Sequence, residues 1–291
     1  MTWLITGGAG QLGLALKAEL TVKGINYVAT NSLELDISNP LLVAELVDSI
    51  SPEVIINAAA WTDVDGAETN EFAAFQVNAI GPQNLAISAK KAGARMVQVS
   101  TDYVFSGESA SPWNEAAKHN PQSVYGSTKS SGEKSVLNEL PSASYVVRTA
   151  WLYSADRKNF AKTMTKLALN GDGEVRVVND QVGQPTFAAD LAKQITSLVA
   201  TDAPKGIYHG TNSGRATWFE FAQEIFRLSD ADTSRVVPVS TSEFPRPAKR
   251  PSYSVLGHDN WDKTKVAPMR DWRIALAEAM PAIVSAVEAE G

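Results

Sequence analysis

Tyr125 stands four residues ahead of Lys129 in the run Tyr125-Gly126-Ser127-Thr128-Lys129. On a helix this spacing sets a phenol and an ammonium one turn apart on the same face. A neighbouring cation favours the phenolate, so the pairing predicts a tyrosine more acidic than the ordinary value of about 10 and able to give a proton to a carbonyl. Thr101 lies in Ser100-Thr101-Asp102-Tyr103-Val104-Phe105, just after an apolar run that starts at Arg95. A hydroxyl there would emerge at the carboxyl edge of a strand, the rim at which open α/β sheets bind ligands. Alone, Tyr-x-x-x-Lys equally describes a solvated helix face, so the surrounding elements must decide.

The elements that would position this group begin with Trp3-Leu4-Ile5-Thr6, a short apolar strand leading into Gly7-Gly8-Ala9-Gly10-Gln11-Leu12-Gly13 and an apolar-periodic helix. Gly7, Gly10 and Gly13 keep the spacing G-x-x-G-x-x-G. That spacing lets backbone turn tightly, approach a pyrophosphate and pack the next helix onto the sheet, with the helix N-terminus facing the phosphates. Strand-like runs recur at Trp3–Thr6, Tyr27–Thr30, Val54–Asn57, Arg95–Ser100, Tyr145–Arg148 and Val175–Val178. Helical periodicity fills Leu12–Lys23, Leu41–Ser51, Phe72–Ala92, Tyr125–Glu139 and Phe160–Asn170, the third interrupted near Gly81-Pro82. Alternation of this kind predicts an α/β fold, a Rossmann-type doubly wound parallel sheet. After about residue 150, prolines punctuate shorter elements, which suits a smaller C-terminal α/β substrate lobe. The expected division is a dinucleotide-binding domain over 1–150, rejoined by a segment near 183–210, and a substrate lobe over most of 151–291.

Composition narrows the chemistry. The 291 residues carry 26 basic and 32 acidic side chains, a formal charge of −6, and no Lys/Arg run of nucleic-acid type. A nucleic-acid partner is therefore not expected. The absence of cysteine removes disulfides, thiolate catalysis and cysteine-held metals. The first apolar stretch is too short for a signal peptide or a membrane span, which makes the cytoplasm the expected location. His119, His209 and His258 form no metal-ligand pattern and read as capping or surface residues.

After the second strand the chain reads Ala29-Thr30-Asn31-Ser32, with neither the acid that selects NAD nor an arginine for a 2′-phosphate. Both NADPH and NADH are then expected as cofactors. Asp36-Ile37 reads as a rest for adenine or as a cap before Ser38-Asn39-Pro40, and the small residues of Asn57-Ala58-Ala59-Ala60 would let a cofactor lie on backbone or simply pack tightly. Arg246-Pro247-Ala248-Lys249-Arg250-Pro251 is a local basic cluster whose guanidinium forks suit a diphosphate or merely a solvated loop.

Thr101, Tyr125 and Lys129, in this order and spacing, resemble the short-chain dehydrogenase/reductase family. Several further stretches narrow the likeness: Asn57–Thr62 with Asp63-Val64-Asp65-Gly66-Ala67-Glu68, Ser100–Phe105, Val124–Lys129 with Gly132-Glu133, Arg148-Thr149-Ala150-Trp151, Asn159–Thr163, and Asn179-Asp180-Gln181 with Gly183, Pro185 and Thr186. They resemble the dTDP-4-dehydrorhamnose reductases over nearly the whole chain. The resemblance implies NAD(P)H-dependent reduction of the C4 ketone of dTDP-4-dehydro-6-deoxy-L-mannose to dTDP-L-rhamnose, so that the partner is a small nucleotide-sugar. It implies that Thr101 bonds the substrate oxygen, Tyr125 donates the proton, and Lys129 acidifies Tyr125 and holds the nicotinamide ribose. Gly10, Gln11, Leu12, Asp36, Ile37, Ala60, Trp61 and Thr62 would meet cofactor, and Thr101, Asp102 and Trp151 the sugar. Some relatives dimerise around magnesium held by glutamates, but the matching positions here are Ala15 and Ala189. No such metal is expected, and a monomer is favoured over a homodimer. The rival readings are a nucleotide-sugar dehydratase, which would need an Asp-Glu pair where this chain has Asp102-Tyr103, another nucleotide-sugar 4-ketoreductase, a 4-epimerase, and a silent NAD(P)-binding regulatory subunit.

Overall fold

The computed structural model describes residues 2–290. Five short strands, β1 (Thr2–Thr6), β2 (Asn26–Thr30), β3 (Val54–Asn57), β4 (Arg95–Thr101) and β5 (Ser144–Thr149), alternate with helices α1 (Gln11–Val22), α2 (Pro40–Ile50), α3 (Gly81–Ala92) and α4 (Val124–Glu139). The chain continues through α5 (Phe160–Asn170), β6 (Val175–Val178), α6 (Ala188–Ala200), β7 (Gly206–His209), α7 (Trp218–Leu228), β8 (Val236–Val239) and α8 (Trp272–Glu288). Six strands form one parallel sheet in the order β7-β5-β4-β3-β1-β2. The winding direction reverses between β1 and β3, which opens a crevice beyond the carboxyl ends of those two strands.

Local chemistry sets the element ends. Asn39 caps α2, its side chain accepting from the Leu41 and Leu42 amides, and Pro40 supplies a pre-set first turn. Ser123 caps α4 by accepting from the Gly126 amide at 3.1 Å, which fixes Tyr125 in the first turn of the helix. Leu16 and Leu20 of α1 are fully buried with Leu191, Ile195 and Leu198 of α6. Each contributes about 1.5–3 kcal/mol by leaving water. Thus α6 packs beside α1 on one face of the sheet, over Val97, Tyr145 and Val147, and β7 extends the sheet beside β5. A separate core holds Tyr153, Phe221, Phe226 and Trp272, built by α5, α7 and α8.

Two expectations need correction. The run Val175–Val178 does not join the main sheet; β6 pairs in parallel with β8, Val175 opposite Val236. Its alternation of buried and exposed residues suits a sheet covered on one face rather than two. The interruption of the third long helix falls before Gly81-Pro82: Glu71–Phe75 passes into a turn of π-helix at Gln76–Ile80, which runs on into α3. Pro82 sits in the first turn of α3, directly after the π turn, and has no N–H to give to the ladder there.

Candidate active site

The crevice is a cleft of about 730 Å³, within the range of cofactor and ligand pockets. Its floor is backbone. Gly7 has φ +73°, and a Cβ there would lie 2.6 Å from the Ala58 carbonyl carbon, so the turn after β1 sits directly against the chain leaving β3. A Cβ on Gly13 would run into the Gly7 carbonyl, which accounts for the close seat of α1 on the turn. Gly10 caps α1 without any side-chain hydrogen bond, and the first turn holds no acid. The leading amides of that helix therefore face the cleft with their partial positive charge uncompensated, a fit for the phosphates of a dinucleotide.

Gly7, Gly10, Gln11, Leu12, Gly13, Asp36, Ile37, Ala58, Ala59, Ala60 and Thr62 all line this cleft. Trp61 does not: its indole N–H donates to the Asp63 carbonyl at 2.9 Å, while its backbone is bonded at both N–H and C=O to the amide of Asn78. Asn78 reaches it because the π turn displaces one residue from the helical ladder, and the same amide donates to Thr128 Oγ1 on α4 at 3.1 Å. Asp36 lines the cleft and also closes the turn before α2, one oxygen accepting from the Ser38 amide at 2.9 Å and from its hydroxyl at 2.7 Å. Asp36 thus closes a turn rather than capping α2, whose cap is Asn39, and keeps its place on the cleft wall. Asn31 and Ser32 complete the wall at the end of β2.

Thr101, Asp102, Tyr125 and Lys129 form the opposite wall. Gly126 permits this, since a Cβ there would strike the Tyr103 carbonyl; α4 consequently presses on residues 102–104, and the Tyr103 and Tyr125 rings meet edge to face at 5.5 Å. The Thr101 hydroxyl donates to Asp102 Oδ1 at 2.9 Å and lies beside the Tyr125 phenol. Lys129 Nζ donates to the Val99 carbonyl at 2.7 Å.

Electrostatics correct the expectation for the tyrosine. Burial pushes Tyr125 up to about 12, the Thr101 hydrogen bond opposing it, and burial pulls Lys129 down to about 8 against the pull of Glu133. Both shifts have one cause: little water remains to solvate either charge. Tyr125 is thus held protonated at neutral pH. It is still acidic enough for the task, because an alkoxide is about as basic as hydroxide, whose conjugate acid has a pKa of about 15.7. Asp102 is raised to about 6 by burial, the hydroxyls of Ser254 and Thr101 pulling the other way.

Trp151 closes one end of the cleft with φ +45°, a left-handed conformation unusual for an aromatic residue. It is held by stacking on Trp218 at 3.6 Å between ring centroids and by the Thr186 amide on its carbonyl at 3.1 Å. Gly183 leaves room for the indole, whose atoms a Cβ would meet at 2.5 Å. Arg250 does not line the cleft. Its guanidinium is paired with Asp65 at 2.9 Å, and Asp65 also accepts from the Ala248 amide. The basic loop is thereby tied across to the segment after β3, beside Tyr103.

Beneath the reactive wall lies a charged cluster that the sequence did not announce. Ser100, Arg148 and His209 are in register across β4, β5 and β7. Arg148, fully buried, grips Glu133 of α4 with Nε and Nη2 at 2.8–3.2 Å, and Ser100 donates to the same carboxylate at 2.5 Å. His119 Nε2 lies 2.7 Å from Arg148 Nη2, with Ser130 at its other nitrogen. Arginine only donates, so His209 Nε2 must accept from Nη1 at 3.3 Å while Nδ1–H donates to the Gly257 carbonyl at 2.7 Å. Burial and the Arg148 charge lower His209 to about 3, so it stays neutral. Burial would raise Glu133; the neighbouring His119 ring, the charge and hydrogen bonds of Arg148, and the Ser100 hydroxyl outweigh it and hold the group at about 2. Of the histidines read as capping or surface residues, His209 is instead fully buried, while His119 and His258 are half-buried, bonded to Arg148 at 2.7 Å and to Thr211 at 2.9 Å. Among the described residues no group of His, Cys, Asp or Glu could hold a metal ion.

Sequence reasoning also missed Arg157 and Lys158, which reach the mouth of the cleft from the loop before α5. The only signal for them was two adjacent cations between a strand end and an asparagine able to cap a helix.

The relatives agree with this geometry. The family model described as the RmlD substrate binding domain matches residues 1–284. The chain is 45% identical to a dTDP-4-dehydrorhamnose reductase of Streptomyces griseus, over 97% of this chain and 93% of that one. It is 46% identical to a probable dTDP-4,6-dihydroxy-2-methyloxan-3-one 4-ketoreductase of Streptomyces antibioticus, over 98% and 97%. Among solved structures, the dTDP-4-dehydrorhamnose reductase of Bacillus anthracis in complex with NADP superposes with a TM-score of 0.92 at 38% identity, covering 96% of this chain and 98% of that one. A glycine floor, a Thr, Tyr and Lys wall and full-length kinship at this level converge: the chain belongs to the dTDP-4-dehydrorhamnose reductase family.

Proposed function

We propose that this protein is an NAD(P)H-dependent oxidoreductase that reduces the C4 ketone of dTDP-4-dehydro-β-L-rhamnose to dTDP-L-rhamnose, the last step in making that sugar donor. The observation that carries the reading is the meeting, in one cleft, of Thr101, Tyr125 and Lys129 with a glycine turn whose helix amides are free. The reduced nicotinamide supplies hydride to C4. Tyr125 holds the proton that the new oxyanion takes, Thr101 bonds the same oxygen, and Lys129 lies one helical turn away to meet the ribose and the phenolate that remains. Asp102 and Trp151 face the sugar, and Arg250, released from Asp65, would meet the substrate diphosphate.

The wall at Asn31 and Ser32 has neither an acid to repel a 2′-phosphate nor a base to demand one, which favours use of both NADPH and NADH. We also propose a dinucleotide-binding unit of 1–150 joined by 183–210, with the remainder of 151–291 forming the substrate lobe, and a cytoplasmic monomer. No helix among the described residues is long and apolar enough to cross a membrane.

The test is to supply dTDP-4-keto-6-deoxyglucose with and without a 3,5-epimerase and follow NADPH absorbance. Consumption only with the epimerised sugar supports the rhamnose assignment. Consumption without it would favour a second reading, a 4-ketoreductase of another deoxysugar, to which the 46% identical relative gives weight. No consumption with either sugar would overturn both.

A further inference from the structure

The loop Ser154–Asn159 is built to hold two cations over the glycine turn. Asn159 does most of this: its Oδ1 caps α5 through the Lys162 amide at 3.0 Å, and its Nδ2 donates to the carbonyls of Ser154 and Arg157 and to Gln11 Oε1 at 3.0 Å. Ser154 donates to the same Gln11 oxygen at 3.1 Å. Gln11 opens α1, so the loop is fastened to the helix end whose amides face the cleft. Within it Arg157 takes φ +60°, a left-handed conformation that costs a non-glycine residue about 1 kcal/mol or more and persists only where the surroundings impose it.

The conformation aims the Arg157 side chain back over the turn. Its Nε donates to the Ala9 carbonyl at 2.8 Å, between Gly7 and Gly10, while among the described residues its two terminal nitrogens have no hydrogen-bond partner and no carboxylate pairs with it or with Lys158. Both side chains line the mouth of the cleft, on a protein of net charge −6. The four remaining N–H directions on an anchored fork suit phosphate oxygens better than water alone does.

We propose that Arg157, assisted by Lys158, is a phosphate-binding residue for the dinucleotide cofactor, supplying from the far side of the cleft the countercharge that Asn31 and Ser32 do not provide. The inference rests on the cofactor reading above. The phosphate is either the diphosphate common to both cofactors or the 2′-phosphate of NADPH alone.

Fluorescence titration of NADPH and NADH onto wild type, Arg157→Ala and Lys158→Ala, without sugar, tests it, with thermal midpoints measured alongside. Loss of a charge-assisted hydrogen bond should weaken binding about tenfold for Arg157→Ala and less for Lys158→Ala. Equal weakening of both cofactors assigns the diphosphate; weakening of NADPH alone assigns the 2′-phosphate. Arg157→Lys, which keeps the charge but not the fork, should recover part of the loss. Dissociation constants within twofold of wild type for both cofactors in both variants would overturn the proposal. Wild-type protein that binds neither cofactor would instead overturn the cofactor reading itself.

Discussion

The cleft and the charged cluster beneath it share α4 but are built from opposite materials. The cofactor floor is backbone: Gly7 against Ala58, Gly13 against Gly7, and helix amides with no side-chain cap. The cluster is mainly side chain, Arg148 binding Glu133 of α4, His119 and, 61 residues further on, His209 of β7, with the Glu115 and Gly257 carbonyls closing its edges. The difference teaches that one helix can carry the residues proposed for chemistry, Tyr125 and Lys129, and a buried ion-pair partner, Glu133, only four residues beyond. Changes on the two sides should therefore separate cleanly into lost turnover and lost fold.

Tyr125→Phe should show the largest effect. Removing a positioned proton donor costs about 10²- to 10⁴-fold in rate, while the ring stays packed against Tyr103. Steady-state kcat should fall by that factor, with cofactor affinity and thermal midpoint near wild type. A variant that turns over normally would remove Tyr125 from the chemistry. A variant that unfolds would break the separation of the two sides.

Glu133→Ala should do the reverse. It leaves the Arg148 guanidinium, fully buried, without its carboxylate, and breaking one partner of a buried pair costs about 3–5 kcal/mol. The linkage has a definite sign. Because the folded Glu133 pKa of about 2 lies below its ordinary 4.5, its contribution is present above about pH 4.5 and is lost as pH falls toward 2. Denaturant unfolding of wild type across that window should show declining stability, and the variant should decline less.

This contrast also explains what could be read before the fold was known. The glycine spacing, the Tyr-x-x-x-Lys step and the hydroxyl at the end of β4 are local patterns, so each was legible along with the parallel sheet. Arg148 and His209 carry no local signature, since their meaning arises only when β5 and β7 lie in register. The destination of Val175–Val178 was hidden for the same reason, because strand pairing with Val236–Val239 is set by distant residues. The sign of the Tyr125 shift was misread because spacing places a cation nearby but says nothing of how dry the wall is.

Gly7→Ala probes the backbone floor. The substitution forces a side chain into left-handed backbone and against the Ala58 carbonyl carbon at 2.6 Å. The left-handed strain alone is about 1–2 kcal/mol, and relief requires the turn to move away from the place where phosphates would sit. Cofactor titration should weaken by tenfold or more, with a thermal midpoint only a few degrees lower. Intact affinity would mean that the turn is structural and the dinucleotide lies elsewhere.

Lys129→Met carries the smallest effect on stability and the most discriminating one. The folded Lys129 pKa of about 8 lies below its ordinary 10.5, so between these values the unfolded chain binds more protons than the native one. Stability from this group therefore rises with pH from about 8 to 10.5, and below pH 8 the buried ammonium is a net cost. Methionine fills similar volume without the charge, although it leaves the Val99 carbonyl unpaired and removes a neighbour of Glu133. The net gain should be on the order of 1 kcal/mol at pH 7, a thermal midpoint higher by about 2–4 °C, and it should shrink as the pH passes 9. Turnover should collapse at the same time. A midpoint that falls instead would show that Lys129 belongs with Glu133 and Arg148 as part of the structural cluster, and the boundary between the two sides of α4 would have to be drawn at Tyr125.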